Sequence, residues 1–199
     1  MTKPCRILLK EHVSNEYTVR MSRAIGEADD FDEEFALLHG VTRNDSVKFL
    51  VNCPGGSIDT CNLLTKAIRE TQAHTIGYVG STCASAATAV ILACEEWEID
   101  SQSSFMIHTG TFGVYGKTPE IEIEVKHRGM MVTRWVQDTY AGFLTQEEIN
   151  RVIDGKDYYF EGEELATRLK AFAEYRDAVR QAEREEDVEL VVDTEEEAA

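Results

Sequence analysis

The sequence predicts an α/β protein built on a mainly parallel sheet, and three observations support that prediction. Short apolar runs alternate three times in succession with segments of helical periodicity between residues 47 and 107. The run at residues 47–51 is almost continuously apolar, as expected for a strand covered on both faces. An almost wholly apolar helix is predicted at residues 84–94, and such a helix has to lie in the core. Repeated alternation of this kind is typical of βαβ crossovers.

The composition fits one globular domain, which we place at residues 1–182, followed by an acidic tail at residues 183–199. The chain has 199 residues, of which 43% are hydrophobic, enough for a substantial core. No apolar run approaches the roughly 20 residues that a membrane helix needs. The tail is expected to be solvated and partly disordered, and the alternative is a short strand at residues 188–192.

The charge and the cysteines exclude several classes of function. A formal net charge of −17 argues against nucleic-acid binding, which needs a basic surface. The N-terminal sequence M-T-K-P-C-R lacks the apolar core of a secretory signal, so a cytoplasmic protein without membrane contact is expected. Five cysteines without a C-x-x-C pair predict reduced, mostly buried thiols and no zinc site. We expect neither a metal nor another cofactor.

In the first half of the chain, runs rich in β-formers predict strands, and apolar residues at helical spacing predict helices. Asp30 and Asp32 open the first helix, where acidic groups are favoured by the helix dipole, and Gly40 is its expected stop. The predicted elements are strands at residues 5–10 and 16–23, a helix at 30–40, a strand at 47–51, a helix at 58–69, a strand at 75–79, a helix at 84–94 and a strand at 105–107.

The second half is predicted to be mainly helical. Three glycines between residues 110 and 116 indicate a loop or loose strand, and Pro119 is tolerated in the first turn of a long helix that ends near residue 141. Thr145 and Glu148 form a capping-box pattern at the start of a short helix. The remaining predicted elements are an edge strand at residues 158–160 and a highly charged helix at residues 162–185.

Ser85, His108 and the pair Gly55-Gly56 are the candidates for chemistry, because ligand sites of open α/β sheets lie at the carboxyl ends of the strands. Ser85 begins the apolar helix, where backbone N–H groups are free. A serine nucleophile needs a base, for which His108 is the candidate, and preorganised N–H donors. Each candidate has a structural alternative: a tight helix contact, a satisfied buried histidine and an ordinary turn. G-x-S-x-G is absent, so an α/β-hydrolase elbow is not predicted.

Three motifs in this order resemble the Clp protease proteolytic subunit (ClpP) family. They are N-C-P-G-G-S at residues 52–57, C-A-S-A-A at 83–87 and F-M-I-H-T-G at 105–110, where the family carries S-P-G-G, A-A-S-M and M-I-H-Q-P. G-K-D-Y-Y-F at residues 155–160 is similar to a fourth family segment. The likeness covers about residues 16–168.

The resemblance implies a ClpP/crotonase-like α/β fold, a repeated βαβ spiral with a protruding handle helix at about residues 109–142. It also implies a serine endopeptidase that hydrolyses unfolded polypeptides inside an oligomeric chamber. Ser85 would be the nucleophile, His108 the general base and Asp157 the carboxylate that orients the base. Asp154 is the fallback for the carboxylate.

The resemblance extends to the groups that would hold the substrate. The backbone N–H groups of Gly56 and Ala86 would form the oxyanion hole. The chain departs from the family at Ala86, where methionine is usual, and after His108, where Gln-Pro is usual. The segment that would bind an extended substrate consists of Thr109, Gly110, Thr111, Phe112 and Gly113.

The resemblance further implies two heptameric rings stacked through the handle into a tetradecamer, with an AAA+ unfoldase as an additional partner. The chain has no counterpart of the family's helix before the first strand or of its G-L-[IV]-D ending, so a phage-type peptidase that acts without an ATPase is an alternative. Two further alternatives are a catalytically idle ring subunit that serves as a scaffold and a crotonase-type acyl-CoA enzyme. The candidates for subunit contacts or core packing on the handle are Met130, Met131, Val132, Trp135 and Val136.

Overall fold

The computed structural model describes the backbone of residues 13–196 and the side chains of residues 13–185, so the strand predicted at residues 5–10 lies outside the described part. Strands and helices alternate along the chain as far as α3. The elements are β1 (Glu16–Met21), a 3-10 turn (Ala28–Phe31), α1 (Asp32–Gly40), β2 (Ser46–Cys53), α2 (Ile58–Glu70), β3 (His74–Ala84), α3 (Ala86–Ala93), β4 (Glu96–Ile99), β5 (Ser104–Ile107), α4 (Thr118–Tyr140), α5 (Gln146–Ile153), β6 (Tyr158–Glu161) and α6 (Gly162–Glu196).

The strands form one sheet in the order β1-β2-β3-β5-β6, and β4 pairs with the first part of β3. All the pairings are parallel except that of β6, which runs antiparallel to β5 at the edge of the sheet. The predicted parallel sheet and the predicted edge strand near the C-terminus are therefore confirmed. β4 has no counterpart among the predicted strands, although its four residues alternate glutamate with apolar side chains, which is a strand pattern.

β3 and α3 differ from their predicted bounds and meet at Ser85. β3 continues to Ala84, beyond the predicted end at residue 79, because its second part pairs with β5 after its first part has paired with β4. α3 consequently begins at Ala86 rather than at residue 84. Every residue of α3 is buried, which confirms the prediction of a helix inside the core.

The core lies against one face of the central strands. In β2, Phe49 and Val51 are fully buried, whereas Lys48 and Leu50 between them are partly exposed. Successive side chains of a strand point to opposite faces, and only one of these faces is fully covered in the single chain. The prediction that residues 47–51 are covered on both faces is therefore wrong for this strand.

α4 is the predicted long helix, and most of it stands away from the core. Its 23 residues span about 34 Å at 1.5 Å per residue. Only Val136 and Tyr140, near its C-terminus, are buried. Val136 is thus a core residue rather than a subunit contact, whereas Met130 and Met131 are 57% and 54% exposed.

The C-terminal helices begin as predicted but α6 extends further. At the start of α5, the side chains of Thr145 and Glu148 each accept a hydrogen bond from the other residue's backbone N–H, which confirms the capping box. α6 continues to Glu196, so the alternative of a strand at residues 188–192 is wrong. None of the helices in the described part combines the length and the apolar character of a membrane span. Among the side chains of α6 that the structure describes, those of Leu165, Leu169 and Phe172 are buried.

Candidate active site

Ser85 occupies a strained turn between β3 and α3. Its φ of 55° and ψ of −132° place it in a region that favours glycine, and it is the one non-glycine residue with positive φ among residues 13–196. Such a conformation costs on the order of 1–3 kcal/mol and tends to occur at functional sites. The serine therefore lies in an elbow-like strand-to-helix turn, although the G-x-S-x-G pattern is absent.

Hydrogen bonds hold this turn on both sides of Ser85. Its backbone N–H donates to the carbonyl oxygen of Met106 at 2.8 Å, which ties it to β5. Its carbonyl oxygen accepts one bond from the Thr88 backbone N–H at 2.9 Å and another from the Thr88 hydroxyl at 2.7 Å. The unfavourable φ is thus fixed by bonds to β5 and to the buried Thr88.

His108 lies directly after β5 and reaches the Ser85 side chain. Its Nε2 is 2.8 Å from the Ser85 Oγ, and both residues are half-buried. With the proton of the neutral imidazole on Nδ1, Nε2 can accept the hydroxyl proton of Ser85. The two side chains are therefore placed as a hydroxyl and a base in hydrogen-bond contact.

Asp157 directly precedes β6, and no hydrogen bond among the described residues joins it to this pair. The antiparallel ladder of β5 and β6 ends with Ile107 opposite Tyr158, so Asp157 precedes β6 beside the position of His108. Its side chain is exposed, and no hydrogen bond joins it to His108 in the described part of the chain. Asp154 caps the C-terminus of α5 and is exposed as well.

Gly55 and Gly56 pack directly against the Ser85 turn and against Ile25. A Cβ atom on Gly55 would lie 2.6 Å from the Cβ of Ser85, and Gly55 has a φ of 97°. A Cβ atom on Gly56, whose φ is 148°, would overlap the carbonyl group of Ile25. Only glycine permits this close approach of two backbones.

Two peptide units present their N–H groups beside Ser85. The carbonyl of Gly55 accepts a bond from the Ile25 N–H at 2.8 Å, and the carbonyl of Ser85 accepts the two bonds from Thr88 described above. Because a trans peptide is planar, the N–H of the following residue points away from each carbonyl. These are the N–H groups of Gly56 and Ala86, and neither donates a hydrogen bond within the described residues.

A groove of about 950 Å³ opens at Ser85 and His108. Its walls come from the start of α2, from the segment after β5 and from α4. The segment at residues 109–113 is irregular rather than a strand, and Gly110 has a φ of 82°. Of its five predicted substrate-binding residues, Gly113 does not line the groove, and those that do are Thr109, Gly110, Thr111 and Phe112.

The thiols near Ser85 are poor nucleophiles. Cys53, Cys61 and Cys83 are buried and unpaired, in agreement with the prediction for the cysteines that the structure describes. Burial raises the pKa of the Cys61 thiol to about 12 and that of the Cys83 thiol well above its ordinary value. Ser85 is therefore the more accessible nucleophile of this region.

Three residues at or near the site were not predicted as site residues. Thr88 is the one polar side chain in the apolar helix α3, which was a signal that the sequence offered. Tyr140, at the end of α4, bonds to Thr88, and no local pattern links these two positions. Trp135 lines the groove and donates from Nε1 to the Asn62 side chain at 2.9 Å.

Comparison with known proteins agrees with this architecture. A protein-family model described as Clp protease matches residues 9–167, well over half of the chain. No curated protein matches the chain. The match and the α/β topology confirm the predicted fold class and the family resemblance.

Proposed function

Since the chain belongs to the Clp protease family, we propose that it is a serine endopeptidase in which Ser85 is the nucleophile and His108 the general base. The observation that carries the proposal is the 2.8 Å contact between His108 Nε2 and Ser85 Oγ at a strained turn. That turn faces two backbone N–H groups without partners among the described residues. Hydroxyl, base and oxyanion donors are the three parts that acyl transfer needs.

The chemistry follows from these positions. His108 Nε2 takes the proton from Ser85 Oγ as the oxygen attacks the carbonyl carbon of the scissile peptide bond. The oxyanion of the tetrahedral intermediate accepts hydrogen bonds from the Gly56 and Ala86 N–H groups. The protonated His108 then gives its proton to the leaving amine, which leaves an acyl group on Ser85. A water activated by His108 hydrolyses this ester and restores the serine.

Asp157 is proposed as the carboxylate that orients His108. The sheet register supports this role, because Asp157 precedes the residue that pairs with Ile107. Its exposed side chain has to turn toward Nδ1 of the imidazole. The preceding Gly155, with a φ of 95°, belongs to the turn between α5 and β6 that sets the position of this carboxylate.

The substrate is proposed to be an extended polypeptide lying along residues 109–113. This segment forms no ladder with another described strand, so its backbone donors and acceptors are available for pairing with a peptide. The apolar side chains of Met131, Val132 and Trp135 on α4 form the opposite wall of the groove. They suit an apolar substrate side chain beside the cleaved bond.

The assembly is proposed to consist of heptameric rings that stack through the handle, with an AAA+ unfoldase as an additional partner. The exposed apolar residues of α4 support burial between subunits, since Ile123, Met130 and Met131 are each more than half exposed. Such a chamber would admit only unfolded chains to the proposed active sites inside it.

The proposal is tested by labelling the protein with a fluorophosphonate and by assaying hydrolysis of a fluorogenic peptide. Intact-mass analysis should show one adduct per chain, mapped to Ser85. Ser85→Ala should remove the adduct and lower turnover by about 10⁴-fold or more. Ser81→Ala, at an exposed position of β3, the strand that leads to Ser85, is the matched control and should keep both the adduct and the turnover.

Either of two results contradicts the assignment. Peptide turnover that is unchanged in Ser85→Ala would show that another group does the chemistry. A folded wild-type protein that forms no adduct and cleaves no peptide would instead match the idle scaffold or the acyl-CoA enzyme.

A further inference from the structure

A pair of buried hydroxyls connects α4 to the turn that carries Ser85. The Thr88 hydroxyl donates to the Ser85 carbonyl oxygen at 2.7 Å. The same oxygen atom of Thr88 lies 2.7 Å from the hydroxyl of Tyr140, which is 52 positions away in the sequence. Thr88 has one hydroxyl proton, and Ser85 receives it, so Tyr140 has to be the donor to Thr88.

Tyr140 is rigidly held. It is fully buried, as is Thr88. Trp135 packs edge-on against its ring at a centroid distance of 5.7 Å. Burial raises the pKa of the Tyr140 phenol well above its ordinary value, so the hydroxyl keeps its proton and remains a donor.

The two bonds to the Ser85 carbonyl determine where the Ala86 N–H points. Ser85 C=O and Ala86 N–H belong to one planar trans unit, in which the two groups point in opposite directions. A rotation of this unit would relieve the strained ψ of Ser85 and turn the N–H away from the groove. Such a rotation has to break the bonds from both the Thr88 N–H and the Thr88 hydroxyl.

We propose that Thr88 and Tyr140 are positioning residues that keep the Ala86 N–H directed at the oxyanion, and that α4 thereby supports the site from the core side. This inference rests on the proposed function, because it assigns the two hydroxyls a role in the reaction at Ser85. A Thr hydroxyl in a helix also commonly bonds to a carbonyl three or four residues earlier without any such role. The experiment has to separate these two cases.

Four variants make that separation: Thr88→Val, Thr88→Ser, Tyr140→Phe and the double variant with Thr88→Val and Tyr140→Phe. Thr88→Val removes the hydroxyl at nearly constant shape and should lower kcat for a fluorogenic peptide about 10-fold or more with little change in KM. This is less than the loss of a direct oxyanion donor, about 10²–10³-fold. Thr88→Ser keeps the hydroxyl and should retain most of the activity.

The double variant distinguishes positioning from stability. Thr88→Val alone leaves the buried Tyr140 hydroxyl without its partner and should lower Tm. Replacing both partners by apolar groups removes the unpaired group, so Tm should recover toward the wild-type value. The rate of Ser85 labelling by a fluorophosphonate should nevertheless stay at the level of Thr88→Val, because the Ser85 carbonyl still lacks the hydroxyl donor.

Labelling of Thr88→Val at the wild-type rate would overturn the inference. So would a double variant whose labelling rate recovers together with its Tm, since the hydroxyls would then serve stability alone. A folded wild-type protein without an adduct at Ser85 would overturn the proposed function, and this inference with it. The three outcomes are distinguishable because the first two need a wild-type protein that is labelled.

Discussion

The two sides of the Ser85–His108 pair are held in different ways. On the oxyanion side, the Gly55 carbonyl is fixed by a bond from Ile25, in the loop after β1, and the Ser85 carbonyl by bonds from Thr88 of the buried helix α3. On the other side, His108 bonds to Ser85 alone among the described residues, and the nearby Asp157 is exposed. The proposed nucleophile and the proposed oxyanion donors are thus positioned by the folding of one chain. The proposed contact between Asp157 and His108 depends instead on an exposed turn at the edge of the sheet.

Within this comparison, the largest expected effect comes from removing the proposed carboxylate on the His108 side, at the edge of the sheet. Asp157→Asn should lower kcat about 10³–10⁴-fold if this carboxylate orients His108, by analogy with the loss of the carboxylate in serine-protease triads. Asp154→Asn is the matched control, three residues earlier in the same connection, and should stay within about twofold. Peptide hydrolysis over a range of pH is the measurement. The reverse ranking of the two variants would move the role to Asp154.

On the oxyanion side, the close packing of the Ser85 turn is disrupted by adding a side chain at Gly55. Gly55→Ala places a Cβ atom 2.6 Å from that of Ser85 and forces a side chain on a residue with a φ of 97°. We expect a loss of activity of about 10-fold or more and a loss of roughly 1–3 kcal/mol in unfolding free energy. Both are measurable by peptide turnover and by denaturant unfolding.

Gly40→Ala is the control for this substitution. A Cβ atom there meets nothing within 4 Å, and the residue ends α1 far along the chain from Ser85. It should leave turnover unchanged. Full activity in Gly55→Ala would show that the two turns can separate without harm to the oxyanion donors.

The smallest effect on catalysis is expected from removing an ion pair that lies outside the site. Hydrogen bonds from Arg168 on α6 lower the pKa of Glu148 on α5 to about 2. Because the folded pKa lies below the usual value of 4.5, the pair stabilises the fold above pH 4.5. That contribution declines as the pH falls toward 2.

Glu148→Gln tests this pair, since glutamine still completes a capping box. The variant should be less stable than the wild type at pH 7 by on the order of 1–2 kcal/mol, and the difference should shrink between pH 5 and pH 3. Turnover at pH 7 should not change. Equal stability differences at pH 7 and pH 3 would contradict the proposed linkage.

Local patterns predicted the parts of the fold that local forces determine. The capping box of α5 and the apolar helix α3 depend on neighbouring residues, and both form as expected. The second half of β3 carries glycine, serine and alanine around a single threonine, which together give only a weak strand signal. It is extended because β5 pairs with it. Such pairing over long sequence distances cannot be read from a single stretch of residues.

The same limit applies to the site. The motifs around Ser85 and His108 predicted two side chains that lie within hydrogen-bond distance. The contact between Thr88 and Tyr140 joins two helices that are distant in the sequence, so the pairing could not be predicted, although Thr88 stands out as the one polar residue of α3. The role of Asp157 stays a prediction, because its exposed side chain makes no bond to His108 in the described part.

The positive φ of Ser85 sets stability and chemistry against each other at a single residue. Glycine would adopt this backbone without steric penalty, so a search for thermal stability alone would favour glycine at position 85. The hydroxyl that such a search discards is the one in contact with His108. Consensus or stability-guided redesign of this chain therefore has to exclude the turn from optimisation, since the most stable sequence and the reactive sequence differ there.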